Sequence, residues 1–259
     1  MKRTLLSAIP EGIPEELLPY LTDAPLYDSS CSPEARVLYT PKDGGLYLKR
    51  AAKGALEKEA RMSEYFHQKG LSVEPLAYLS RDEDFFLSRA GIGEDATDAR
   101  YLADGRRLAI CLGEWLRALH ELPTDGCPVP DRTRDYIDAV KEGYACMRFD
   151  PSFAKNGRIG AEEAFRLALA TAPRLTSRVL LHGDYCLPNI LLYEWRLSAF
   201  IDLGAAGVGD RHIDLFWGAW TLRFNLGTDA FREDFLSAYG QDVIDRGILD
   251  AIGYCECFG

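Results

Sequence analysis

The chain has 259 residues, 47% of them hydrophobic, with 30 Lys and Arg against 40 Asp and Glu for a formal net charge of −10. That length buries a sizeable core, as one large domain or two lobes sharing a cleft, and the acidic balance argues against the basic face that nucleic-acid binding requires. No run approaches the ~20 apolar residues needed to span a bilayer, and seven scattered cysteines, an odd number, read as reduced thiols of a cytoplasmic protein.

At the start, Met1-Lys2-Arg3-Thr4-Leu5-Leu6 imitates a signal peptide, but its apolar stretch stops at Pro10-Glu11, too short for an export segment. Arg36–Thr40 and Leu46–Lys49 flank Pro41-Lys42-Asp43-Gly44-Gly45, a hairpin with a turn rich in glycine and aspartate. Leu56 to Gln68 has helical spacing and is stopped by Gly70. Two short strands follow, Leu76–Leu79 and Asp84–Leu87, with Ser80-Arg81-Asp82-Glu83 as the turn. After Gly91-Ile92-Gly93 the character changes to amphipathic helices at Arg107–Leu122, Asp135–Tyr144 and Ala161–Ala170, and again from Ile213 onwards. Cys255 and Cys257 have no second ligand pair nearby, so no zinc site is expected. The expected architecture is α+β: residues 1–90 as a lobe with an antiparallel sheet and one helix, and residues 91–259 as a mainly helical lobe.

The chemistry concentrates in one stretch. The apolar run Val179-Leu180-Leu181 meets His182-Gly183-Asp184, Asn189 stands five residues after Asp184, and Ile190-Leu191-Leu192 continues as a strand. A second strand, Leu197–Ile201, ends in Asp202-Leu203-Gly204, with Glu194-Trp195-Arg196 as the turn between the two. In such a hairpin the side chains of Asn189 and Asp202 can converge, and their oxygens are the hard ligands that Mg²⁺ prefers. Phosphoryl transfer needs a positioned metal, a cation on the phosphates and a carboxylate facing the acceptor hydroxyl, and Asp184 suits the last role. A lone Asp beside a Gly is a turn residue, but catalytic Asp, Asn five on and a later Asp-x-Gly follow the protein-kinase order and spacing. That pattern calls for a strand lysine held by a helix glutamate; Lys49 closes a strand and the next helix carries Glu57, Glu59 and Glu64. There is no G-x-x-x-x-G-K-[ST], so the chain is not a P-loop kinase, and Ser29-Ser30-Cys31-Ser32-Pro33 stands where a G-x-G-x-x-G would lie.

With these residues in place the chain resembles the aminoglycoside 3'-phosphotransferases. The resemblance rests on His182-Gly183-Asp184-Tyr185-Cys186-Leu187-Pro188-Asn189, Phe200-Ile201-Asp202-Leu203-Gly204 and Gly207-Val208-Gly209-Asp210-Arg211-His212-Ile213-Asp214, and extends to Leu46-Tyr47-Leu48-Lys49, Glu59-Ala60-Arg61-Met62 and Leu119-His120. It implies a bilobal protein-kinase-like fold, with Asp184 as catalytic base or hydroxyl-orienting carboxylate and Asn189 and Asp202 as Mg²⁺ ligands. It further implies Lys49 on the phosphates of ATP (or GTP) paired with Glu59, Tyr47 stacked on the base, and the backbone of Ser88–Ala90 (Ser88 and Ala90 among the cofactor contacts) reading its edge. Ser32 would lie in the phosphate-covering loop, and His182 and Asp214 would serve as scaffolding.

The resemblance is weakest where such enzymes hold a cationic acceptor. The loop Asp150–Arg158 keeps one acid, Asp150, and adds Lys155 and Arg158; near the C-terminus Glu256 matches while Cys255 and Gly259 do not. Each missing charge contact is worth about 1–3 kcal/mol of binding. The expected activity is transfer of the γ-phosphoryl group to a hydroxyl, by resemblance the 3', of an aminoglycoside, a cationic amino sugar held through Asp150 and Glu256, by a monomer or weak dimer. The alternatives are a kinase of the same fold acting on a sugar or amino alcohol, and a catalytically silent nucleotide-binding module.

Overall fold

Alternation of apolar and polar residues from Ala35 onwards folds as a sheet. The computed structural model of the chain describes residues 3–154 and 157–259. Its first strands and helices are β1 (Thr4–Leu5), α1 (Leu18–Leu21), β2 (Tyr27–Asp28), β3 (Ala35–Thr40), β4 (Leu46–Ala52), α2 (Glu57–Gln68), β5 (Pro75–Ser80) and β6 (Glu83–Arg89). The strands form one six-stranded sheet in the order β1-β2-β3-β4-β6-β5, with antiparallel pairings throughout. Register sets its two faces. Leu38 pairs with Leu48 and Leu48 with Leu87, and this face packs on Leu17, Leu21 and Leu26. The opposite face carries Tyr39 opposite Tyr47 and Phe86 opposite Lys49. There Ala51 and Phe86 pack on Leu56 and Ala60, which seats α2 on the Lys49 side of the sheet. The short helix α1, beside the helix expected in this lobe, supplies Leu21 to the core.

The rest of the chain adds β7 (Glu94–Asp95), α3 (Ala99–Leu102), α4 (Gly105–His120), α5 (Arg132–Ala145), α6 (Ala161–Thr171), β8 (Val179–Leu181), β9 (Ile190–Tyr193), β10 (Arg196–Phe200), β11 (Gly207–Gly209), α7 (Arg211–Leu226), α8 (Arg232–Tyr239) and α9 (Arg246–Glu256). Chain contacts separate two compact units, Met1–Gly93 with Ser198–Gly204, and Glu94–Leu197 with Ala205–Gly259. The sequence divides the chain once, near residue 90; the contacts also return Ser198–Gly204 to the first unit. The expected turn after β9 is tight, with Glu194 and Trp195 both at positive φ. No helix of the described residues is long and apolar enough to cross a membrane.

In the second unit β8 pairs antiparallel with β11, and α5, α6 and α9 enclose a core of Tyr136, Ile137, Val140, Ala164, Ala168, Ile252 and Phe258. Phe258 is fully buried among the rings of Tyr144, Phe149 and Phe165, so the last turn of the chain is anchored. The contact of α4 with α8 depends on Gly113: a β-carbon there would lie 2.4 Å from the carbonyl oxygen of Phe235. Gly113→Ala is therefore expected to destabilise the fold by about 1–3 kcal/mol, whereas Gly160→Ala, with open space around it, should stay within about 0.5 kcal/mol. Urea midpoints of the two variants check this, and equal midpoints would contradict the packing.

Candidate active site

In the first unit one ammonium group faces two carboxylates. Lys49 on β4 donates to Oε1 of Glu59, the third residue of α2, at 2.5 Å, and also to Oδ1 of Asp202. Burial alone would lower the Lys49 pKa, but Asp202 and Glu59 outweigh it and hold the ammonium above its ordinary value. For Glu59, burial raises the pKa, Lys49 opposes and the Asp202 charge adds to burial. The triad thus carries an excess negative charge, a natural setting for a further cation. Asp202 sits just after β10 at φ +59, a left-handed conformation that costs a non-glycine residue about 1–2 kcal/mol. That strain is maintained where the carboxylate meets Lys49, which points to a functional constraint at this position.

The other residues expected to contact nucleotide have defined partners. The Tyr47 hydroxyl accepts from Arg3 at 2.7 Å, and its ring lies 5.0 Å from that of Tyr39. Ser88 pairs with Tyr47 across β4 and β6. The Ala90 N–H donates to the Gly45 carbonyl at 2.9 Å, so this donor reads a base edge only by exchanging that bond. Ser32 is exposed; its hydroxyl donates to Glu34 and accepts the Glu34 N–H, a local turn within its loop.

In the second unit Asp214 organises the loop after β8. This wholly buried carboxylate accepts the N–H of His182 at 2.8 Å and of Gly183 at 2.7 Å, one on each oxygen. His120 Nε2 lies 3.2 Å from the same carboxylate, and His120 Nδ1 lies 2.8 Å from the Tyr239 hydroxyl. Burial lowers the His120 pKa against the opposing pull of Asp214, and the ring links Tyr239 to that carboxylate. Gly183 is at φ +85, and a β-carbon there would lie 1.9 Å from the Ala205 carbonyl oxygen, so only glycine fits. The next residue is Asp184. Asn189 donates through Nδ2 to the Asp184 carbonyl at 3.1 Å and to its Oδ2 at 2.8 Å. The Cys186 thiol hydrogen-bonds to the same Asp184 carboxylate. An amide oxygen here, like the carboxylate of Asp202, is the hard donor type that suits Mg²⁺.

Glu256, at the end of α9, is buried, and its Oε1 accepts the Tyr136 hydroxyl at 2.7 Å. Burial pushes its pKa up to about 7; Tyr136 and Arg132 pull against it and the Asp184 charge adds to it. Asp150 is exposed and differently placed: it caps the short turn Pro151–Phe153 by accepting the Ser152 N–H at 2.8 Å, and the Ser152 hydroxyl, with this N–H second, holds its carboxyl below the usual range. Its own N–H donates to the Cys257 carbonyl, tying this loop to the C-terminal turn. Lys155 lies outside the described residues. Cys255 is buried in the core, with its thiol pushed up to about 12 by burial. Sequence reading marked Leu119-His120 as a block of the resemblance without giving His120 a role, and missed Tyr136 altogether; their partners lie 94 and 120 positions away.

The family model described as the phosphotransferase enzyme family matches residues 28–251. A Lactococcus lactis protein described as "Probable aminoglycoside 3'-phosphotransferase" is 46% identical over 251 residues, 96% of this chain and 96% of its own length. An aminoglycoside 3'-phosphotransferase of Niallia circulans is 32% identical over 164 residues, 63% of each chain. A crystal structure of an aminoglycoside-3'-phosphotransferase of type VIII superposes with a TM-score of 0.74 at 22% identity, covering 89% of this chain and 91% of that one. At that identity the likeness is one of fold, and it agrees with the expected α+β kinase-like class.

The burial of Glu256 has a thermodynamic signature. With a folded pKa near 7 against an ordinary 4.5, the folded state binds the extra proton between these values, so stability falls as pH rises through that window and levels off above it. Removing this group by Glu256→Gln is expected to flatten the fall by an amount of order 2 kcal/mol between about pH 5 and pH 8. Urea unfolding of both proteins across that range checks this; an unchanged pH slope would contradict the buried carboxyl.

Proposed function

Because the chain belongs to the phosphotransferase enzyme family, among the aminoglycoside 3'-phosphotransferases, we propose that it moves the γ-phosphoryl group of ATP to the 3'-hydroxyl of an aminoglycoside and so confers resistance. The observation that carries this reading is the capture of Lys49 between Glu59 and Asp202, residues 10 and 153 positions away. A lysine so oriented is a fixed cation for nucleotide phosphates, with Glu59 keeping it from collapsing elsewhere.

In the proposed roles Asp184, whose Oδ2 takes a hydrogen bond from Asn189, presents its carboxylate to the acceptor hydroxyl. The hydroxyl oxygen attacks the γ-phosphorus, its proton passes to Asp184, and the bond to the β-phosphate oxygen breaks to release ADP. The Asp214 grip on His182 and Gly183 fixes Asp184 without touching substrate. Asn189 through its amide oxygen and Asp202 through its carboxylate would hold Mg²⁺, which when bound neutralises charge on the phosphate oxygens. For Asp202 this means exchanging part of its ion pair with Lys49, as the phosphates take up the ammonium. Tyr47 would stack on the base, the Ser88–Ala90 backbone would read its edge, and Ser32 would lie over the phosphates. Glu256 and Asp150 supply carboxylates for the ammonium groups of the acceptor, Glu256 as the anion only above about pH 7.

Two substitutions test these assignments. Asp184→Ala is expected to lower kcat by about 10²–10⁴-fold while ATP still binds in a calorimetric titration. Lys49→Ala is expected to raise the KM for ATP by about tenfold or more. Turnover retained by Asp184→Ala would refute its role as base.

A further inference from the structure

Asp84 lies in β6 with no exposed surface, and it does not belong to the site described above. Its Oδ2 accepts the Leu56 N–H at 3.0 Å and the Tyr78 hydroxyl at 3.0 Å, and its Oδ1 accepts the Ser80 hydroxyl at 2.7 Å. The Gly54 N–H bonds to the same carboxylate. All four donors are uncharged. Burial raises this carboxyl, but the donors, Ser80 foremost, more than offset it and hold it below the usual carboxylate range. A buried charge kept in this way needs a structural reason.

The reason lies in α2. Its N-cap residue is Leu56, and no side chain of that residue caps the helix. Asp84 accepts the N–H of this N-cap residue from a neighbouring strand, the bond that a side chain of the helix itself makes in a capping box, and its negative charge stands at the positive end of the helix dipole. Two of its four donors, Gly54 and Leu56, lie in the connection from β4 to α2, and Glu59 follows three residues after Leu56. On β6, Asp84 pairs with Ala51 and Phe86 pairs with Lys49. The carboxylate therefore fastens the start of the helix bearing Glu59 to the strand lying beside Lys49.

We propose that Asp84 is a positioning residue for the phosphoryl donor: by fixing the first turn of α2 on β6 it holds Glu59 against Lys49. The inference rests on the reading that Lys49 and Glu59 together hold the nucleotide phosphates. It separates Asp84 from an ordinary stabilising buried polar group, because its effect on catalysis must pass through Glu59.

A double-mutant cycle reads this directly. The KM for ATP and for the acceptor is measured for the wild type, Asp84→Asn, Glu59→Gln and the double variant, each checked for folding by thermal melting. Asp84→Asn is expected to raise the KM for ATP about three- to tenfold with the acceptor KM unchanged, and to add less than about twofold once Glu59 is replaced. An undiminished effect in the Glu59→Gln background, or no effect in folded Asp84→Asn, would overturn the proposal. If Glu59→Gln leaves the ATP KM unchanged, the Lys49–Glu59 reading itself falls and takes the proposal with it, a different and recognisable failure. Should Asp84→Asn not fold, Tyr78→Phe, which removes one donor from the oxygen holding Leu56, goes through the same cycle. It should raise the ATP KM about twofold and only when Glu59 is present; an effect independent of Glu59, or none, would again overturn the proposal.

Discussion

The ion pair of Lys49 with Glu59 and Asp202 is the constraint around which the first unit is built. Removing one partner from a buried pair such as Lys49–Glu59 costs about 3–5 kcal/mol, since a charge is left without its counterion. The strand, the helix and the distant segment must therefore arrive together. β4 gives Lys49 its face of the sheet, α2 gives Glu59 its height above that face through Leu56 and Ala60 packing on Phe86, and the return of Ser198–Gly204 brings Asp202. The left-handed backbone of Asp202 is a strain accepted for that placement.

The second unit solves a different problem with the same physics. The loop carrying Asp184 has no ladder of its own to satisfy His182 and Gly183, and a single buried carboxylate, Asp214, accepts both N–H groups. Its charge is tolerable because these two N–H groups are aimed at it and the His120 ring nitrogen lies beside it. Gly183 completes the arrangement, since any side chain would strike the Ala205 carbonyl. Asp184 is thus placed by backbone geometry, with Asn189 holding one of its oxygens.

Much of this was legible in the sequence, for identifiable reasons. The strand and helix periods gave α2 within one residue, Leu56–Gln68 expected and Glu57–Gln68 found, and the long amphipathic α4 within two at each end. Asp184, Asn189 and Asp202 stood out because their spacing is set by one loop and one hairpin. The two-residue strands β1, β2 and β7 were not legible, because two residues carry no period. Nor were Asp84 and Tyr136, or the role of His120, which depend on partners across strands or a hundred residues away. Cys255 was read as a lost acid beside Glu256; burial shows it to be a core side chain, so the charge at the C-terminal turn rests on Glu256 two residues before the anchored Phe258.

The two carboxylates proposed for the acceptor, the buried Glu256 near neutrality and the exposed Asp150, carry less charge than a polycation would fully engage, which makes the acceptor the central question. The most direct measurement is steady-state ADP production with Mg·ATP and kanamycin, neomycin or their 3'-deoxy counterparts. The expected result is turnover of kanamycin and neomycin and none of the 3'-deoxy compounds, which fixes both the substrate class and the hydroxyl that is phosphorylated. Silence with every aminoglycoside while ATP still binds, or equal turnover of the 3'-deoxy compounds, would contradict it.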